Sequence, residues 1–151
     1  MNKIITIILT ICTLCCCSQS SSELEYVRNF YNSNGITFDK CVKKCIIIPE
    51  GGCGGCIASG ITFIKEYKDF FSSEQQENLV IFTSINSLKI LKRNFEEDEW
   101  YNLNKIVDTD NLYTLTGDNR IYPLILTLDN GIIINAMFQS PGSDAFSQID
   151  I

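Results

Sequence analysis

The chain contains no histidine in its 151 residues. That absence removes the His-dependent nucleophile triads and most catalytic zinc sites. Positive charge is also short: 12 Lys and Arg stand against 18 Asp and Glu, for a net charge of −6. No basic stripe appears, which argues against nucleic acid as a partner. Neither a phosphate-binding loop nor a dinucleotide glycine pattern is present. There is no internal repeat and no long low-complexity segment. The chain also lacks a long spanning run. Its most apolar stretch, Ile4 to Leu14, is well below the about 20 apolar residues that a spanning helix needs.

What is present begins with cysteine, of which there are eight. Four of them, Cys12, Cys15, Cys16 and Cys17, fall in the opening "MNKIITIILTICTLCCCSQSSSE". Lys3 supplies a positive start, and a short apolar core ends in small residues, which is the build of a secretory signal. The run Leu14-Cys15-Cys16-Cys17 resembles the lipobox of bacterial lipoproteins, with Leu14 in the leucine role. The resemblance implies a signal peptide over 1–16, acylation of Cys17 (with Cys16 as the second candidate) and a lipidated tether over 17–24. Cys16 departs from the Gly, Ala or Ser usual before the cut. The polar "SQSSSE" suits a flexible tether. Residues 25–151 then form one domain on the outer side of the membrane, anchored through lipid in the bacterial cell envelope. With Lys3 removed, 11 basic side chains face 18 acidic ones, a net charge of about −7.

The domain keeps Cys41, Cys45, Cys53 and Cys56. Outside the cytoplasm such residues are expected to pair unless something keeps them reduced. A C-x-x-C pair here is a working redox couple, half of a metal site, or a structural disulfide. The neighbouring pattern narrows this. "CIIIP", 45–49, is a β-branched run of strand length, suited to burial on both faces. From Gly54 to Phe71 the positions Ile57, Ile61, Ile64, Tyr67 and Phe71 recur at helical spacing. Cys53-Gly-Gly-Cys56 therefore sits where a strand hands over to a helix.

Other elements follow the same logic. Leu24, Val27, Phe30 and Tyr31 predict a helix over 23–35 ending at Gly35. "LVIFTS", 79–84, reads as a second buried strand, followed by a helix capped by Ser84 or Asn86. "EEDEWYN" reads as an acidic surface segment, and 105–110 as a short strand. "NLYTLTG" predicts a helical turn or short helix, with Asp108 and Asp110 as its caps. "PLILTLDNGIIINAMF" is a hairpin signature around Asp129-Asn130-Gly131. A short last helix is expected near Ser143 or Asp144. Alternating strands and helices imply an α/β domain: a mainly parallel sheet covered on both faces, closed by an antiparallel C-terminal hairpin.

C-x-x-C at a strand–helix junction, with Tyr122-Pro123 just before "LILTLDNGIII" far downstream, resembles the thioredoxin-like superfamily, and more closely its TlpA-like extracytoplasmic branch. The resemblance covers roughly 43–140. It implies a three-layer fold with a central mixed sheet, an active pair at Cys53 and Cys56, and a cis-proline at Pro123 packed beside that pair. Tyr122 and Pro123 would bind substrate, because a cis bond there would offer a backbone edge to an extended peptide. Several positions depart from the family. Gly52 stands where Trp is frequent, Gly54-Gly55 replaces a proline-containing dipeptide, and Ile47 and Ser59 stand where acidic proton acceptors are found.

The residues themselves support the same chemistry. A helix beginning at Gly54 puts the Cys53 sulfur near unpaired N–H groups and about half a positive charge of helix dipole. Both favour the thiolate, the nucleophilic form. Cys56, one turn further in, is more buried. Cys53 is thus assigned as the attacking sulfur and Cys56 as the resolving one. Glu50, three residues before Cys53, would oppose the thiolate if it lies near.

The expected function is thiol–disulfide oxidoreductase, needing no cofactor or metal. The partners are envelope proteins with thiols or disulfides and, through the anchor, the membrane; the chain is expected to be a monomer. The alternative is a non-enzymatic binding lipoprotein on the same fold with Cys53–Cys56 as a structural disulfide. A four-thiolate site is a third possibility, from the spacing C-x3-C-x7-C-x2-C. Cys41 and Cys45 can bridge only if "CVKKC" turns, since an extended run of that length spans about 13 Å against a limit near 7 Å. Otherwise Cys45 is an apolar core thiol.

Overall fold

The computed structural model describes residues 22–151. The signal segment 1–16, Cys17 and Cys16 lie outside the described residues. No helix among the described residues is long and apolar enough to cross a membrane.

Helix α1 covers residues 22–33, so residues 22–24, expected in the tether, are helical. Leu24 packs on the same core as Val27 and Tyr31, which gives this extra turn an apolar footing. The helix stops where Gly35 turns left-handed at φ 66°. Five strands follow: β1 Lys44–Pro49, β2 Asn78–Thr83, β3 Lys105–Val107, β4 Leu124–Asp129 and β5 Ile132–Phe138. They form one sheet in the order β3-β2-β1-β4-β5. β1 pairs parallel with β2, and β2 parallel with β3. β4 runs antiparallel to β1 and to β5. The sheet is therefore evenly mixed rather than mainly parallel, with the expected hairpin at its end. In the hairpin turn Asn130 and Gly131 are both left-handed, at φ 51° and 81°. That is the requirement of a two-residue primed turn, and the reason for Asn-Gly.

The continuous apolar runs of β1 and β2 become central strands because both of their faces are covered. Successive strand residues point to opposite sides. Cys45, Ile47, Leu79, Ile81, Leu124 and Leu126 join Val27 and Tyr31 of α1 in one core. Ile46, Ile48, Val80, Phe82 and Ile125 join the other. That second core takes Ile64 from α2 (Gly54–Glu66), Leu91 from α3 (Leu88–Lys92), Trp100 from α4 (Glu97–Asn102), and Phe146. The architecture is three layers, helix on both faces of a mixed sheet. β5 is an edge strand whose backbone takes side-chain partners. Arg28 Nε donates to the Ile133 carbonyl at 2.6 Å, and Ser143 Oγ to that of Phe138 at 3.0 Å. Such contacts blunt an edge that would otherwise pair with another chain.

Three boundaries differ from expectation, each because a side chain takes backbone amides there. α3 starts at Leu88 with Ser87 as its cap. Ser84 is left-handed at φ 52° and is not at the helix start. Glu50 Oε2 accepts from the N–H groups of Asn86 and Ser87 at 2.6 and 3.1 Å. No helix forms at 111, because the buried Asp108 carboxylate takes the amides of Leu112 and Tyr113 and pins a turn there. The last helix is only a 3-10 turn, Phe146–Gln148. Gln139 Oε1 accepts from Ala145 and Phe146 just before it. The acidic segment forms α4 through a Glu96–Glu99 capping box and buries its tryptophan against Phe82 and Phe95.

Candidate thiol site

β1 ends at Pro49, four residues carry the chain over the sheet end, and α2 begins at Gly54 with Cys53 as its N-cap. The Cys53 side chain makes no capping bond to the helix. It meets Cys56 instead: the two sulfurs are 2.8 Å apart, and both cysteines are free thiols. Cys53 is half-buried, while Cys56 is buried at 6% exposure. A Cβ added at Gly54 or Gly55 would meet nothing within 4 Å, so the first turn of α2 is open to an incoming partner.

This asymmetry splits the two thiols. Cys53 is held below the ordinary thiol range, first by the hydrogen bond that the Cys56 thiol gives it, then by backbone N–H groups at Cys56 and Gly55. Cys56 is pushed up to about 11 by burial, and next by its contact with Cys53. One group is poised to ionise and the other to keep its proton. The Glu50 carboxylate is turned to the start of α3, where it accepts from the amides of Asn86 and Ser87.

The rate of alkylation of Cys53 by iodoacetamide should therefore rise with pH around a midpoint below that of an ordinary thiol. Only the thiolate reacts, so the rate falls as pH drops through the lowered pKa. In Cys56→Ala the largest stabilising cause is gone, and the midpoint should move up. A midpoint unmoved by that substitution would refute the hydrogen bond as the main cause.

Tyr122 and Pro123 lie close by, but the expected cis bond is corrected. No peptide bond among the described residues is cis. The chain leaves the 3-10 turn Asp118–Ile121 through Tyr122 in extended geometry, φ −106° and ψ 145°. It enters β4 in the trans form that X–Pro bonds intrinsically prefer. Pro123 is buried, and its carbonyl is taken by the Gln139 amide at 2.9 Å. The group that faces the pair is the Ile121 carbonyl, which accepts from the Cys53 N–H at 2.8 Å. The approach is so close that a Cβ on Gly52 would sit 2.2 Å from that oxygen. This explains why position 52 is glycine. Ile121 was not flagged by sequence; the only signal was the unexpected glycine at position 52.

The remaining cysteines stand apart. Cys45 is fully buried in the α1-side core, its thiol pushed far up by burial. Cys41 is exposed, its thiol raised first by the hydrogen bond with Asp39. The two are free and unbridged. Among the described residues no group of three or more Cys, Asp or Glu is arranged to hold a metal ion, so the four thiols do not converge as the C-x3-C-x7-C-x2-C spacing allowed. Asp108 binds the turn above it and Thr83 rather than an open cation site.

No family model, no curated protein and no solved structure matches this chain.

Proposed function

We propose that the chain is a thioredoxin-like thiol–disulfide oxidoreductase, lipid-anchored through Cys17 in the bacterial cell envelope. The observation that carries this reading is the pair itself. A half-exposed Cys53 sulfur stands at the mouth of α2, 2.8 Å from a buried Cys56 sulfur. The mixed sheet with a helical layer on each face and a closing hairpin is the setting that such a fold supplies.

The exchange runs in two displacements. The Cys53 thiolate attacks one sulfur of a partner disulfide; a mixed disulfide forms and the partner's other sulfur leaves as a thiolate. Cys56 then gives up its proton to that leaving thiolate and attacks the Cys53 sulfur. The Cys53–Cys56 disulfide forms, the second partner thiolate leaves and takes a proton from water. The partner gains two electrons and the protein loses two. The Ile121 carbonyl, fixed on the Cys53 amide, holds the strand–helix junction in register during both steps.

The test is trapping. In a Cys41→Ser background, the full chain with Cys56→Ser is expressed in its host and resolved without reductant. Covalent partner adducts released by dithiothreitol are expected. They should vanish when Cys53→Ser is added. No adducts, together with a wild-type pair unable to reduce a small disulfide, would leave the binding lipoprotein with an inert disulfide as the better reading.

A further inference from the structure

A groove of about 590 Å³ lies between α3 and α4. Its floor is aromatic, from Phe95 and Trp100, and Tyr101 and Leu88 stand exposed at its sides. Its charge is unusual for so acidic a chain. Lys89, Lys92 and Arg93 line it within five residues. Lys92 Nζ lies 5.7 Å from the Trp100 ring centre, and Lys105 Nζ lies 4.7 Å from it. The ion pairs among the described residues are Lys43–Glu77 and Lys68–Glu99, so Lys89, Lys92 and Arg93 have no carboxylate within 4.0 Å; Lys105 lies outside the lining and donates to the Trp100 and Leu103 carbonyls. Lys105 is held below its ordinary pKa, first by burial and then by the charge of Lys92. The only carboxylate lining the groove is Glu97. Three cations without a carboxylate partner beside an apolar floor match a ligand bearing negative charge beside apolar side chains.

The groove is attached to the thiol site. Glu50 grips the amides of Asn86 and Ser87 at the head of α3, and Gly51 lies against the Asn86 side chain. Residue 50 is three residues from Cys53, which is at most about 11 Å along the chain. The first turn of α2, which follows Cys53, is open.

We infer that the α3–α4 groove docks an acidic polypeptide segment with apolar side chains, and so selects acidic proteins as the partners whose disulfides Cys53 attacks. This rests on the exchange reading above. The docking step adds no chemistry. It raises the local concentration of an anionic partner and steers its approach, an effect screened by salt.

The experiment uses the reduced full chain in single turnover against three disulfides. One is an acidic peptide disulfide with Asp flanking Leu and Tyr, one is the same peptide with Lys for Asp, and one is neutral 2-hydroxyethyl disulfide. The acidic peptide should react ~10-fold faster than the basic one at low salt, the lower end of the range for electrostatic steering. The preference should shrink at high salt. Lys89→Glu/Lys92→Glu/Arg93→Glu should abolish or reverse it while leaving the neutral disulfide unaffected, which also reports that the fold is intact. The control variant Lys40→Glu/Lys43→Glu/Lys65→Glu carries the same net change at the opposite end of β1 and of α2, and should keep the preference. Equal rates for the two peptides, with the neutral disulfide still reduced, overturn the inference and leave the exchange reading standing. Loss of preference in the control variant also overturns it, by showing net charge alone at work. If the triple reversal alters only co-sedimentation with phosphatidylglycerol vesicles, the groove faces a membrane and the inference falls. Failure to reduce any of the three disulfides would instead sink the exchange reading.

Discussion

Gly52→Ala should be the most damaging single methyl group in this protein. The added Cβ would lie 2.2 Å from the Ile121 oxygen and 2.8 Å from its carbonyl carbon. Real contacts of that kind essentially never fall below 3.0 Å. Both sides of the clash are backbone, so no side chain can swing away. Either the 50–53 loop or the 118–122 turn must move by nearly an ångström, and the Cys53 N–H loses its acceptor. We expect a loss of about 3 kcal/mol or more, the upper end of the overpacking range, read as a lower urea midpoint at unchanged slope. The same displacement moves Cys53 off the mouth of α2, so its alkylation midpoint should rise. Gly55→Ala is the matched control, since its Cβ meets open space. Equal stability of the Gly52 and Gly55 variants would refute the close approach.

Asp108→Ala should come next. The carboxylate is buried at 5% exposure and accepts three hydrogen bonds: Leu112 N–H at 3.0 Å, Tyr113 N–H at 2.8 Å and Thr83 Oγ at 2.8 Å. Bonds to a charged acceptor are each worth more than neutral ones, and truncation strands their donors. A loss of about 3–4 kcal/mol follows from the summed strength of such bonds, discounted for water entering the space. Asp108→Asn keeps one oxygen and should lose about half as much. The consequence reaches the thiol site, because Asp108 anchors the start of the segment that ends in Ile121. Amide exchange at Tyr113 and at Cys53 should speed up together in Asp108→Ala. If Cys53 stays protected while Tyr113 opens, the segment is held by other contacts and the link between the two is wrong.

How much of this was legible in advance depended on range. The strands at 45–49 and 79–84 were readable because continuous β-branched runs have no exposed face to spare. The hairpin was readable because Asn130-Gly131 demands a left-handed pair. The position of Cys53-Cys56 at a strand–helix junction followed from the change of period on either side. Boundaries set by side-chain bonds to the backbone were not readable. Glu50 was judged by its distance along the chain to Cys53, yet its carboxylate serves α3, 36 residues away. Asp108 was expected to cap a helix at 111; its carboxylate does take the amides that follow, but it pins a turn and no helix forms. Pro123 was expected in the cis form because a family pattern was carried across; the path of the chain through Tyr122 left the bond trans.

Local chemistry by itself therefore determined the alternation of strand and helix, the two faces of the sheet and the placement of two thiols at the start of a helix. Each depends on residues within a few positions of one another, where period and turn preference act directly. Tertiary structure alone decided which carbonyl meets Cys53, why Gly52 must be glycine, and that Lys92 and Lys105 collect beside Trp100. Those facts join segments tens of residues apart, and contact between them is settled by packing across the sheet end.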